Sequence, residues 1–231
     1  MRYLLWDFDG TLARRDGGWT GALLDVITRQ FPHLAVTREQ VRQHLQSGFP
    51  WHTPDVPHTD LRTADEWWAA MEGVFASAMT AVGVEPARAP EAARLVRGAY
   101  LRPDAFRLFD ETAWALDTLT SRGWTHAILT NNVPELDLIL QRLDIAGWFA
   151  RVFNSAQTGF EKPHPRAYAI AIDALGAESI RWMIGDSFEA DLQGARRAGI
   201  EGILVRRPHE RATRYCNDLR ELTAWLKDRG G

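Results

Sequence analysis

From Leu108 onward, short apolar runs alternate with helical stretches, and this alternation limits the fold more than any other feature of the chain. A helix over residues 111–122 leads through Gly123 to an apolar strand at 126–129. A second helix starts near Pro134, where proline suits a first turn. Then come a strand at 151–153, a helix at 166–175, a strand at 181–184, a helix at 188–198 and a strand at 202–205. Strands separated by helices pair in parallel, and the helices cover both faces of the sheet. Residues 3–6 read as another buried strand, but the segment after it has a different pattern. From about residue 21 to residue 100 that pattern is helical only. Thr37 with Gln40, and Thr63 with Glu66, each form a capping-box pattern that opens a helix. The second of these helices runs to Val82, with Gly83 as its stop. The expectation is an α/β chain: a doubly wound parallel sheet from residues 1–14 and 104–231, interrupted by an all-helical domain over residues 15–103. A chain of 231 residues is long enough for that arrangement.

In an open parallel sheet, ligands bind beyond the C-terminal ends of the strands. After strand 3–6 come Asp7, Asp9, Gly10 and Thr11. After 126–129 come Thr130, Asn131 and Asn132, and after 181–184 come Gly185, Asp186 and Ser187, with Asp191 one turn further on. Lys162 lies in the loop after the short strand at 151–153. Among the 27 basic residues only Lys162 and Lys227 are lysines, so a lysine in that loop stands out. Asp7 and Asp9 sit two residues apart on extended backbone, which turns both side chains the same way. A turn would also favour Asp and Gly at these positions, but a turn explains nothing about the polar groups gathering at the other strand ends.

The formal charge of -3, with no basic stretch, gives no footprint for a nucleic acid. No apolar run is long enough to span a membrane and the N-terminus lacks a signal-peptide shape. Cys216 is the one cysteine, so no internal disulfide forms, and a cytoplasmic setting is expected. The oligomeric state, monomer or homodimer, stays open.

The stretches DFDGTL, LTNN, EKPHP and GDSFEAD resemble, in order, the four motifs of the haloacid dehalogenase superfamily in its phosphatase branch, phosphoglycolate phosphatase-like members included. The resemblance spans the whole chain and includes a helical cap inserted after the first motif. It implies a Rossmann-like core and Mg²⁺-dependent hydrolysis of a small phosphate ester through an aspartyl phosphate. By that resemblance Asp7 is the nucleophile and Asp9 the acid/base. Thr130, Asn131 and Lys162, with Gly10 and Thr11, surround the phosphoryl group. Asp7, the backbone carbonyl of Asp9, and Asp186 hold the metal, and Asp191 supports them from outside. The chemistry is consistent with this. A carboxylate splits a hard displacement into two steps, a positioned acid protonates an oxygen leaving group, and Mg²⁺ takes hard oxygen ligands.

Dehalogenases of the superfamily lack the second acid, so Asp9 argues for an oxygen leaving group. A sugar-phosphate mutase shares all four motifs and stays an alternative, as does a non-catalytic metabolite-binding module. Specificity is expected from the helical insert. There the Pro-rich loop at 47–60 carries Trp51, His52 and His58, and Arg14 lies just before the insert. Trp67 and Trp68 are expected to pack the cap core or its interface. Arg14, Arg15 and Arg62 read as solvated charges or as a second anion site, and Glu161 as a support for Lys162 or as a residue without a role.

Overall fold

The computed structural model describes residues 1–228; the last three residues of the expected core segment lie outside the described residues. Strand β1 (Tyr3–Trp6) is apolar on both faces. Leu4 and Trp6 enter one core and Leu5 the other, as the period of two along a strand requires. A strand buried on both faces belongs in the middle of a sheet, and β1 lies there. The six-stranded sheet has the order β5-β4-β1-β6-β7-β8, where β4 is Thr125–Thr130, β5 Phe149–Asn154, β6 Ile180–Gly185, β7 Gly202–Val205 and β8 Tyr215–Cys216. All pairings in this sheet are parallel, and Trp6 sits level with both Ile128 and Ile184. The chain moves outward from β1 in both directions, so a crevice opens beyond the C-terminal ends of β1, β4 and β6.

The helices of the α/β part are α6 (Thr112–Ser121), α7 (Leu136–Arg142), α8 (Ser155–Thr158), α9 (Pro165–Leu175), α10 (Gly194–Arg197) and α11 (Leu219–Trp225). Helix α7 begins two residues after Pro134, which lies in the turn before it. The stretch expected as one helix over 188–198 is wound differently: Phe188–Gln193 forms a wide π turn ahead of α10. Such turns carry an extra residue per loop and re-aim the side chains on them.

Two strands too short to show alternation in sequence frame the insert. Strand β2 (Ala13–Arg15) pairs antiparallel with β3 (Phe106–Leu108), and every helix from α1 (Gly18–Gln30) to α5 (Val96–Tyr100) lies between them. Arg15 is buried rather than solvated. Its guanidinium donates to the carbonyls of Tyr100, Asp16, Gly18 and Ala99 and ties the ribbon to α5. Both capping boxes form, at the starts of α2 (Arg38–Gln43) and α3 (Ala64–Ala81). Gly83, just past α3, has φ +103°, the left-handed backbone that makes a glycine the natural stop. Trp67, Trp68 and Phe75 from α3 are buried around Trp19 with Tyr100, and α4 (Ala89–Arg94) closes the far side. The Trp68 indole N–H also donates to both oxygens of Glu135, at 3.1 and 3.0 Å, joining the helical block to the segment before α7.

His126, in the middle of β4, is fully buried. The Trp6 indole donates to its Nδ1 at 3.0 Å, so the ring proton is on Nε2, which faces the Leu116 carbonyl at 3.2 Å. Burial pushes its pKa down to about 4. The unfolded chain takes up a proton near pH 6.5 that the folded ring refuses. This contribution to stability is full above pH 6.5 and lost as pH falls toward 4, by about 3 kcal/mol in all. Urea titrations of the wild type and His126→Gln from pH 7 to pH 4 should show the difference between them closing by that order; a pH-independent difference would contradict the assignment.

Candidate active site

Asp7 comes directly after β1, and its backbone N–H continues the sheet ladder to the Ile184 carbonyl at 2.8 Å. That bond fixes the side chain at the crevice. Its Oδ1 accepts from the Thr130 hydroxyl at 2.9 Å and from Lys162 Nζ at 2.9 Å, and its Oδ2 from the Thr11 hydroxyl at 3.2 Å. Lys162 is 3 % exposed and reaches a second carboxylate, Asp191 Oδ1, at 2.5 Å. Burial alone would lower the ammonium's pKa. Asp191 and Asp7 outweigh it and hold the pKa above the ordinary lysine value, so the group stays charged. The loop bearing Lys162 is held by Asn131, whose amide both accepts from the Lys162 N–H at 2.7 Å and donates to its carbonyl at 2.9 Å. The Asn131 side chain, expected at the phosphoryl group, is therefore committed to the backbone of Lys162.

Asp186 ends β6 and Asp191 sits on the π turn. The carboxylate oxygens of Asp7, Asp186 and Asp191 lie within 4.8 Å of one another. Glycines make this crowding possible: a Cβ on Gly10, which has φ +83°, would run into the Asp186 carboxylate, and one on Gly185 into Asp191. Asp186 is pushed up to about 7 by burial and by Asp7, against Arg207, whose Nε lies 3.0 Å away. Asp191 is pushed up to about 6 by burial, with Lys162 opposing and Asp7 adding. Carboxylates that resist ionisation mark negative charge in want of a counter-charge. Buried hard oxygen donors of this kind suit a divalent cation, and the cluster has the donor set to hold one. Asp191 has both oxygens engaged, one on Lys162 and the other on the Ser187 N–H at 2.9 Å.

Asp9 lies beside this cluster. Burial and the Asp7 carboxylate push it up to about 7, although Asn132 stabilises the ionised form with an N–H to Oδ2 at 3.0 Å. Its Oδ1 is buried without a hydrogen-bond partner. Asn132 stood at the strand end in the sequence without a role assigned to it; its backbone N–H is fixed in turn by the Ser155 hydroxyl at 3.2 Å. Glu161, next to Lys162 in the chain, is buried and feels the Lys162 charge. Burial pushes it up to about 7 despite a hydrogen bond from Ser155.

The crevice is the floor of a cleft of about 820 Å³. Asp7, Asp9, Gly10, Asn131, Lys162, Asp186 and Asp191 line it, as do Arg14 from β2 and Trp51 from the helical side. Arg14 is more than half exposed, with its guanidinium over the Phe109 ring. His52 does not line the cleft; its ring accepts from the Phe49 N–H and closes a short turn. Arg207 and Tyr100, which no motif signals, line it as well. The loop over 53–60 packs on the core: the His58 N–H donates to the Gly159 carbonyl at 2.8 Å, three residues before Lys162.

Removing the ammonium leaves Asp7 and Asp191 buried and uncompensated. Lys162→Met should therefore cost about 3 kcal/mol at pH 8 and less at pH 5, where a proton on Asp191 replaces the lost charge. Urea unfolding at the two pH values reads this, and an equal loss at both would refute it.

The family profile for haloacid dehalogenase-like hydrolases matches residues 1–199. A phosphoserine phosphatase of Thermus thermophilus is 34% identical over 165 residues, 67% of this chain and 65% of that protein. A glyceraldehyde 3-phosphate phosphatase of Methanothermobacter thermautotrophicus is 34% identical over 113 residues, 48% of this chain and 47% of its own. The chain thus matches under two thirds of the length of either relative. Among solved structures, a HAD-hydrolase from Bacillus subtilis shares the fold with a TM-score of 0.72 at 23% identity, over 98% of both chains. With the four motifs meeting in one crevice and the profile covering most of its length, the chain belongs to the haloacid dehalogenase-like hydrolase family.

Proposed function

We propose that this chain is a Mg²⁺-dependent phosphomonoesterase for a small soluble metabolite, working through a phosphorylated Asp7. The observation that carries the reading is the second carboxyl. Asp9 stands next to Asp7, pushed up to about 7, with one buried oxygen free of any partner. An alkoxide leaving group needs a proton and a halide does not, so a second carboxyl beside the first suits an ester. Phosphatase relatives support the same class of reaction.

In the first step Asp7 attacks phosphorus and the ester P–O bond breaks. The Asp9 carboxyl gives its proton to the departing oxygen, and the alcohol leaves. In the second step the Asp9 carboxylate takes a proton from water as that water attacks the same phosphorus. The bond to Asp7 breaks, phosphate leaves, and both carboxyls are restored. Thr130 and Lys162 already donate to the Asp7 oxygen, so a phosphoryl group attached there would carry its own oxygens beside both donors. Asn132 keeps the Asp9 carboxyl aimed. Asp7, the Asp9 carbonyl and Asp186 would hold Mg²⁺, which supplies charge neutralisation at the phosphoryl oxygens. In this reading residues 1–14 and 104–231 are the catalytic core and residues 15–103 a cap over it. A reducing cytoplasm suits Cys216, buried with its thiol pushed up to about 11 by burial.

Phosphate release from p-nitrophenyl phosphate and from an alkyl phosphate tests this. Asp7→Asn should abolish release, and EDTA should do the same reversibly. Asp9→Asn should lose about 10²–10⁴-fold on the alkyl ester and less on the aryl ester, which leaves without help. Substantial metal-independent release, or a folded Asp7→Asn protein that still turns over, would refute the mechanism.

A further inference from the structure

Above its acidic floor the cleft changes character. The wall contributed by the helical block consists of Trp19, Trp51, Pro54 and Tyr100, with Arg14 and Arg15 at its edge. Trp19 stacks on Tyr100 with ring centroids 3.9 Å apart, and Trp51 stacks on Phe49 at 4.7 Å with planes 12° apart. The two indoles are themselves 5.9 Å apart at 35°. Each is backed and fixed by another ring, while both stay partly exposed. Such a wall is rigid before any ligand arrives, so packing against it costs little ordering.

Beyond the exposed Arg14 guanidinium at its edge, the wall offers few partners to a polar leaving group. Arg15 spends its guanidinium on four backbone carbonyls. Hydroxyls or charges pressed against Trp51 and Trp19 would lose water without replacement. A flat apolar group would gain both buried area and ring–ring contact. The cleft, at about 820 Å³, also has room for much more than a three-carbon ester.

We infer, on the basis of the phosphomonoesterase reading, that the leaving group of the substrate carries an aromatic or similarly flat conjugated ring. The ring packs on Trp51 and Trp19 while the phosphoryl group sits at Asp7.

The test compares 2-phenylethyl phosphate with ethyl phosphate, which share a primary alkoxide leaving group and differ in the ring. For the wild type, kcat/KM should be about tenfold or more higher for the ring ester. Trp51→Ala should erase that preference, Trp51→Phe should keep most of it, and inhibition by inorganic phosphate should be the same in all three proteins. Equal rates, a preference for ethyl phosphate, or a preference that survives Trp51→Ala would each overturn the inference and leave the phosphomonoesterase reading standing. Absence of turnover of either ester would strike that reading instead. The wall is then read by calorimetry with 2-phenylethylphosphonate and ethylphosphonate, where tighter binding of the ring compound, lost in Trp51→Ala, is the expected result and equal binding the refuting one.

Discussion

The buried ammonium of Lys162, shared between Asp7 and Asp191, is the interaction on which the rest of the site depends. Burying carboxylates this close together is expensive, and an unpaired one would cost several kcal/mol. One cation that bridges two of them makes the cluster tolerable. Here the two carboxylates come from the end of β1 and the turn after β6, and the sheet order brings them together. With β1 between β4 and β6, the acids after β1 and β6 and the hydroxyl of Thr130 at the end of β4 reach one point. The lysine arrives from the loop after α8, held by the Asn131 amide. The remaining negative charge is still unbalanced, as the raised pKa values of Asp186 and Asp191 record.

The helical block meets the sheet through a small number of polar contacts. The β2–β3 ribbon carries the chain in and out. Glu135 takes the Trp68 indole and Arg97, and the His58 loop rests on Gly159, where a side chain would collide with Thr59. The shape above Asp7 is thus set by the block and the chemistry below it by the sheet. Trp51 and the 53–60 loop belong to the first, Lys162 and Gly159 to the second, and the bond from His58 to Gly159 is one of the places where the two meet.

Much of this was legible in the sequence for physical reasons. Strands β1, β4 and β6 are four to six residues long and each holds a short apolar run, a pattern in which burial on two faces leaves a clear trace. The acids and Thr130 stood out because the strand ends gave them a common address, and Lys162 because lysine is rare in this chain. The capping boxes at Thr37 and Thr63 are local and need no tertiary knowledge. What stayed hidden is what depends on contacts between distant segments. Strands β2 and β3 have three residues each, and they are strands only because they find each other. Arg15 looked like one more surface arginine until the carbonyls of α5 surrounded it. Asn132 reads as a loop residue until its amide meets Asp9. The π winding of 188–193, which turns Asp191 toward Lys162, leaves no periodicity a short window can detect.

Whether Asp7 becomes the covalent carrier of the phosphoryl group is the central claim, and it can be read directly. The protein would be acid-quenched during turnover of p-nitrophenyl phosphate or acetyl phosphate, reduced with borohydride and digested for peptide mass spectrometry. An acyl phosphate is reduced to an alcohol under these conditions, whereas a free carboxylate is not. The predicted result is a reduced side chain at position 7, dependent on substrate and absent in Asp7→Asn. Reduction at another residue, or a phosphoryl group retained on a hydroxyl or imidazole in its place, would contradict it.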